Sequence, residues 1–316
     1  MNPAFSKLVQ QFGENGAHAL VIGDVMLDRY LLGEVNRISP EAPVPVVLIK
    51  SEQLRVGGAA NVAANLALLG VPTKMIGLIG HDNEGQTLLA AMQAHGIATE
   101  AMLATPSRPT IAKTRILGGH QQMMRLDQEK THALTADEQT QVLANIDAAL
   151  QQQPALVILS DYAKGLLTEA LCQEVIQRCR AARITVLVDP KGHDYSKYRG
   201  ATALTPNKKE TAEACDTLQQ DPALIEKASA LKQCLQLDFL AVTRGEEGIT
   251  LIDDGTHHLS ATAKQVFDVS GAGDTVIATL AAGLMHGLSP LDSLSLANIA
   301  AGVVVGKVGT VPITKA

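Results

Sequence analysis

Short apolar runs that never alternate with polar residues recur along this chain, at residues 19–22, 74–79, 155–159, 185–188, 202–205, 239–243 and 248–252. A strand with no polar side must be covered on both faces, which is the condition of a parallel sheet packed between helices. The intervening segments carry helical periodicity, notably 61–69, 84–95, 136–151 and 168–182, and they supply the crossovers that parallel strands require. The expected fold class is therefore α/β: a doubly wound, mostly parallel sheet flanked by helices. Two excursions break this alternation. Residues 29–56 set Pro40, Pro43 and Pro45 among short β-prone pieces, and residues 110–116 with 123–127 read as a hairpin around Gly118-Gly119. Together, over about 29–56 and 108–127, they predict a small β-sheet standing off the core as a lid. No repeat, low-complexity tract or long linker divides the chain, so residues 1–316 are expected to form one domain.

The charge balance limits what such a fold can bind. With 26 Lys+Arg against 32 Asp+Glu, the formal charge of −6 provides no basic field for nucleic acid or an anionic membrane surface, so any phosphate must be met by local groups. A composition of 46% hydrophobic and 18% charged residues supports a substantial core. Cys172, Cys179, Cys215 and Cys234 form neither CxxC pairs nor a zinc-like Cys/His spacing, which predicts reduced thiols and a cytoplasmic protein. No segment has the pattern of a signal peptide or membrane span, so a soluble chain is expected.

The most informative motif is Asp268-Val269-Ser270-Gly271-Ala272-Gly273-Asp274-Thr275, placed before a small-residue helical pattern at 276–285. Paired glycines let the backbone turn tightly, so that free N–H groups and the positive end of a helix converge on one point suited to an anion. Asp274 in that turn has two readings: a base that takes a hydroxyl proton beside a transferring phosphoryl group, or a helix cap. A Walker A loop is absent, because only three residues separate Gly302 from Gly306-Lys307 and the GxxxxGK spacing fails. A dinucleotide fingerprint is disfavoured by Val276 and by the late position in the chain. Nearer the N-terminus, Gly57-Gly58-Ala59-Ala60-Asn61 precedes an alanine-rich helix. Asn61 can exchange hydrogen bonds with a sugar, or merely cap and pack its helix.

Taken together, these two regions resemble the signatures of the ribokinase-like, or PfkB, carbohydrate kinases, and the resemblance runs from about residue 20 to 312. It implies that Asp24, Gly57, Gly58 and Asn61 contact the sugar, that Asp274 is the catalytic base, and that the amides of Gly271, Ala272 and Gly273 form an anion hole. The family's Asn-x-x-Glu element is matched by Asn207 and Glu210, implicated there in organising magnesium and phosphate. Thr243, Arg244, Gly245 and Gly248 match a segment lining the nucleotide site, and Asn298 completes that set. A lid built from two excursions is also usual in this family. Within it, Gly23 to Tyr30, Arg37 to Val46, Leu159 to Gly165 and Ala300 to Lys307 look like the heptose 7-phosphate kinases of ADP-heptose synthesis. The implied reaction moves the γ-phosphoryl group of ATP to the anomeric hydroxyl of D-glycero-β-D-manno-heptose 7-phosphate. Magnesium is expected to arrive mainly with ATP, without a dedicated protein cage. In many such relatives a nucleotidyltransferase domain follows. Its HxGH-type motif is absent here, so a stand-alone kinase or an excised half is expected, pairing as a homodimer through lid strands.

A substrate that already carries a phosphate needs cations at its remote end. Arg108, Lys113, Arg115, Arg125 and Lys164 are the candidates; Lys113 and Arg115 share one face of a strand, which either lines the cleft or faces solvent. Lys191, after an apolar strand, either approaches the ATP phosphates or sits in a solvated turn. His257-His258 would point to opposite faces of a strand and receives no role. Three other readings remain: a PfkB kinase acting on ribose, fructose 1-phosphate, tagatose 6-phosphate or a nucleoside; a sugar-phosphate sensor without turnover; and a nicotinamide-dependent oxidoreductase.

Overall fold

The computed structural model describes residues 3–119, 121–263, 265–307 and 309–315. Its central sheet has eight strands in the spatial order Thr256–Leu259, Ile249–Ile252, Phe239–Thr243, Ala203–Leu204, Thr185–Asp189, Leu156–Ser160, Ala19–Gly23 and Thr73–Ile76. The six strands from Phe239–Thr243 to Thr73–Ile76 are parallel, and the remaining two are antiparallel. The apolar runs behave as their composition requires. Ala19 and Val21 enter one buried cluster while Leu20 and Ile22 enter the other, and Leu156/Ile158 against Val157/Leu159 divide the same way. One layer is packed by the helices Ala59–Leu68, Ala272–Met285 and Pro290–Val304, the other by Ala136–Leu150, Glu169–Ala181 and Ala223–Leu235.

Some boundaries depart from the sequence reading. The run 74–79 is divided at Gly77 into Thr73–Ile76, within the main sheet, and Leu78–Gly80, which pairs with Leu103–Thr105 in a separate ribbon. Residues 202–205 shorten to the two-residue strand Ala203–Leu204. The edge strand Thr256–Leu259 is largely exposed and has no apolar run to betray it. It and Ile249–Ile252 run antiparallel because their connections are too short for a helix: Gly245 and Gly248, with φ of +60° and +102°, reverse the chain tightly.

Strand order reverses at Ala19–Gly23, whose neighbours are Thr73–Ile76 on one side and Leu156–Ser160 on the other. Ligand crevices of open α/β sheets lie beyond the carboxyl ends of strands at such a reversal. Asp24 and the loop beginning at Asp161 emerge there. From the same point the chain climbs into a four-stranded second sheet, ordered Pro45–Gly58, Val25–Ile38, Ala112–Gly118 and Gln121–Gln128. Strand Val25–Ile38 is buried at its start and exposed at its far end, so this sheet rises off the body as a lid. Cross-strand register puts Asp28, Tyr30, Arg55, Lys113 and Arg115 on one face. The opposite face carries Leu54, Met124 and Leu126, all exposed.

Candidate active site

Asp274 is built into the site by the start of its helix. Gly271 occupies the N-cap position in the left-handed region (φ +78°), no side chain caps the helix, and the first turn, Ala272 onwards, leads directly to Asp274. The capping reading is therefore not what the geometry shows. The carboxylate is 4% exposed, and it meets two donors from distant parts of the chain. Asn61 Nδ2 donates to Oδ2 at 2.7 Å across a separation of 213 residues, and the Tyr162 hydroxyl donates to Oδ1 at 2.6 Å. Asn61 is not a cap either: it is the third residue of the Ala59–Leu68 helix, whose cap position is Gly58. Small buried residues on both helices, among them Ala60, Ala63, Ala64, Ala278 and Ala281, let the two backbones approach closely enough for this bond. Asn65 adds a second tie by accepting from Thr275 Oγ1 at 3.1 Å and from the Ile313 amide at 2.9 Å. Burial raises the Asp274 pKa and the Asp28 charge adds to that, while the Asn61 and Tyr162 hydrogen bonds lower it; the net direction is upward. A carboxylate moved toward neutral is better matched to proton abstraction.

Asp24 sits at the neighbouring strand end, also 4% exposed. Its Oδ2 accepts from the amides of Tyr162 (3.1 Å) and Lys164 (3.0 Å), and its Oδ1 from Leu166 (3.3 Å). Burial pushes its pKa up against these three bonds. The loop reaches this geometry through positive φ at Ala163 (+54°) and Gly165 (+99°). Gly57 and Gly58 lie beside it: a β-carbon at Gly57 would fall 2.4 Å from Asp28 Oδ2, so only glycine leaves that carboxylate its place.

Two cavities meet at the helix start. One of about 150 Å³ is lined by Tyr162, Asp189, Lys191, Asn207, Glu210, Gly271, Gly273 and Asp274. Within it Asn207 and Glu210 form a reciprocal capping box, and Lys191 Nζ pairs with Glu210 Oε1 at 2.7 Å. Asp189 has its pKa raised by burial and by the charges of Asp274 and Glu210. The other cavity, about 480 Å³, is walled by Thr243, Gly245, Gly248, Val266, Val269, Ala272, Gly273 and Asn298, a mostly apolar surface. Asn298 holds the Ser260 carbonyl at 2.7 Å. Arg244 turns away into an adjoining cavity, where it pairs with Asp221 at 2.7 Å and with Glu247.

The expected phosphate-binding cations separate into two groups. Lys113 is half-buried on the cleft-facing side of the lid, and Arg115, beside it, pairs with Asp28. Arg108 is buried with its guanidinium donating to the carbonyls of Lys164 (3.0 Å) and His132 (2.8 Å). Lys164 Nζ pairs with Glu129 at 2.8 Å, and the exposed Arg125 pairs with Asp127 at 2.8 Å. Sequence reasoning passed over Tyr162, Asp28, Tyr30 and Arg55. The Tyr30 ring has the guanidinium carbons of Arg55 and Arg115 at 5.0 and 5.1 Å from its centroid, and Arg55 reaches the Thr310 carbonyl at 3.4 Å. Period-two spacing from Asp28 to Tyr30 was the available signal; the partners of Tyr162 had none.

A buried carboxylate beside an uncapped helix start, with a polar cavity and an apolar cavity adjoining, can deprotonate a hydroxyl while backbone amides hold an anion. Comparison with known proteins gives this arrangement its relatives. The family model described as pfkB family carbohydrate kinase matches residues 17–316. Bifunctional protein HldE of Methylobacillus flagellatus is 62% identical over 319 residues, covering 100% of this chain and 65% of that protein. The HldE protein of Magnetococcus marinus is 52% identical over 94% of this chain and 62% of its own length. The chain thus spans less than two thirds of these curated relatives. Among solved structures, Arabidopsis thaliana ribokinase complexed with ribose and ATP aligns with a TM-score of 0.72 at 22% identity, over 95% of this chain and 96% of that one. Phosphofructokinase-2 from Escherichia coli, in complex with potassium, aligns with a TM-score of 0.78 at 16% identity, over 95% and 96% of the two chains.

Proposed function

The chain belongs to the pfkB family of carbohydrate kinases and is an ATP-dependent sugar kinase; from that premise we propose that it phosphorylates the anomeric hydroxyl of D-glycero-β-D-manno-heptose 7-phosphate, forming the 1,7-bisphosphate. HldE proteins combine a heptose 7-phosphate kinase with an adenylyltransferase, and the identity of 62% to one of them supports the sugar assignment. The observation that carries the mechanism is Asp274, buried and held by Asn61 and Tyr162 at the open end of a helix. Asp274 takes the proton of the anomeric hydroxyl, and the amides of Gly271, Ala272 and Gly273 stabilise charge on the transferring group. The apolar walls at Val266, Val269 and Ala272 suit a purine ring, and the polar cavity beside Gly273 suits the phosphates. Asn207 and Glu210 line that polar cavity with their oxygens engaged in the capping box and with Lys191. Magnesium would therefore be held mainly by ATP, where it would neutralise phosphoryl oxygens, and Glu210 would join it only by exchanging its bond to Lys191.

The lid supports a substrate with a second phosphate. Lys113, Arg115 and Arg55 share the cleft-facing side, where a sugar's remote end would lie. Its opposite side exposes Leu54 (42%), Met124 (54%) and Leu126 (52%), which favours pairing of two copies lid to lid. Among the described residues no helix is long and apolar enough to cross a membrane. The test is ADP release from magnesium-ATP with heptose 7-phosphate, fructose 1-phosphate, fructose 6-phosphate and ribose in parallel. Preference for the heptose phosphate is expected; turnover of another sugar alone would keep the family and remove the heptose assignment.

A further inference from the structure

Tyr162 joins the two carboxylates of the site, and none of the signature motifs assigns it a task. Its hydroxyl donates to Asp274 Oδ1 at 2.6 Å while its amide donates to Asp24 Oδ2 at 3.1 Å. The loop that carries it is fixed from behind. Asp161 accepts from Lys197 Nζ (2.6 Å), the Tyr198 hydroxyl (2.7 Å) and the Ala163 amide (2.6 Å), and those bonds hold Ala163 in a left-handed conformation that L-residues seldom adopt. Strain of this kind persists only where the surroundings over-determine the geometry, and here its product is the placement of one phenol.

A carboxylate turns easily about its last torsion, whose preference is broad and two-fold. Donors on opposite oxygens, Asn61 on Oδ2 and Tyr162 on Oδ1, remove that freedom. Each oxygen still keeps a lone pair for a substrate hydroxyl. We propose that Tyr162 is a positioning residue for phosphoryl transfer, orienting the Asp274 carboxylate toward the anion-binding turn at Gly271–Gly273. This inference rests on the reading of Asp274 as the base.

The hydroxyl also favours the ionised form of Asp274, since it donates to the charge, and burial keeps the phenol itself protonated by pushing its pKa far above the usual value. The other groups around Asp274 are Asn61 from the neighbouring helix, Asp28 from the lid strand with its partner Arg115, and Asp189 at a sheet-strand end with Lys191 and Glu210 beyond it. Removing the Tyr162 donor therefore raises the Asp274 pKa, and the base becomes protonated at a higher pH.

The experiment is Tyr162→Phe in the full chain, with kcat and KM measured against pH using heptose 7-phosphate and magnesium-ATP. We expect kcat to fall about tenfold or more, its acid limb to move up by roughly one pH unit, and both KM values to stay within about threefold. Incorporating 3-fluorotyrosine at position 162, a stronger donor of nearly the same shape, should move the limb the opposite way. A carbon-13 titration of the Asp274 carboxyl, assigned by its loss in Asp274→Asn, reads the same shifts without turnover. If the titration moves and another sugar is phosphorylated in place of heptose 7-phosphate, Tyr162 keeps its positioning role and only the substrate reading fails. An acid limb and a titration that both stay in place in Tyr162→Phe overturn the inference, even if the melting temperature drops.

Discussion

The buried cluster around Asp274 and the lid sheet are built from opposite materials. Asp274, Asn61 and Asp24 are nearly inaccessible and are held by elements that also form the core. The lid sheet loses its burial along its length and carries exposed leucines on its outer face. Chemistry that depends on sub-ångström placement belongs on packed helices and strand ends, where neighbouring side chains leave one arrangement. Recognition of a substrate's outer end tolerates a surface with more freedom, and in the proposed reading the lid would supply charge there rather than rigid placement. The two regions should therefore fail differently: damage to the cluster should appear in kcat, and damage to the lid in KM.

The largest effect is expected at Asp274, the proposed base. Asp274→Asn should lower kcat about 10²–10⁴-fold while calorimetric binding of ATP is retained, and unimpaired turnover would take Asp274 out of the mechanism. Gly271→Ala should come next. Its φ of +78° costs a side-chain-bearing residue about 1–2 kcal/mol, and the new β-carbon would lie 2.8 Å from Asn61 Nδ2, pushing that donor off the carboxylate. We expect about a tenfold or greater loss of kcat with the fold intact by circular dichroism. Lys113→Ala tests the other side of the contrast, with KM for a phosphorylated sugar rising about tenfold and kcat nearly unchanged. Should kcat collapse with KM constant, the lid would be part of the chemical machinery after all.

The smallest effect concerns a carboxylate outside the site. Glu138 Oε1 accepts from the hydroxyls of Thr105 and Ser107, both at 2.5 Å, and Oε2 from the Thr135 amide at 2.8 Å. Burial pushes its pKa up, but these bonds outweigh it and hold the value at about 2 against an ordinary 4.5. Between those values the unfolded chain binds more protons, so this contribution is present above pH 4.5 and drains away as pH falls toward 2. Glu138→Gln should cost about 1–3 kcal/mol at neutral pH and flatten the acid dependence of urea unfolding, with kcat unaltered.

Much of this architecture was legible because short-range patterns report it directly. Apolar runs such as 156–159 announce strands covered on both faces, and the hairpin about Gly118-Gly119 announces the lid. The edge strand Thr256–Leu259 escaped because it is held by backbone pairing with Ile249–Ile252, and its exposed side chains carry no periodic signal. The motif containing Asp274 could be found, yet its sequence left base and cap equally open. Arg108 shows the same limit from the other direction: a basic residue at the mouth of the lid, it directs its guanidinium to the carbonyls of His132 and Lys164.

What the chain determined by itself was its layer plan and the location of its glycine-rich turns, since apolar periodicity and backbone freedom are properties of neighbouring residues. Tertiary structure alone decided which side chains meet. Asn61 and Asp274 lie 213 residues apart and Tyr162 and Asp274 lie 112 apart, and their contacts exist only because small-residue helices and a reversal of strand order bring those segments to one crevice. The state of a carboxylate follows from such contacts, through lost water and the donors that replace it, and no local stretch of sequence contains that information.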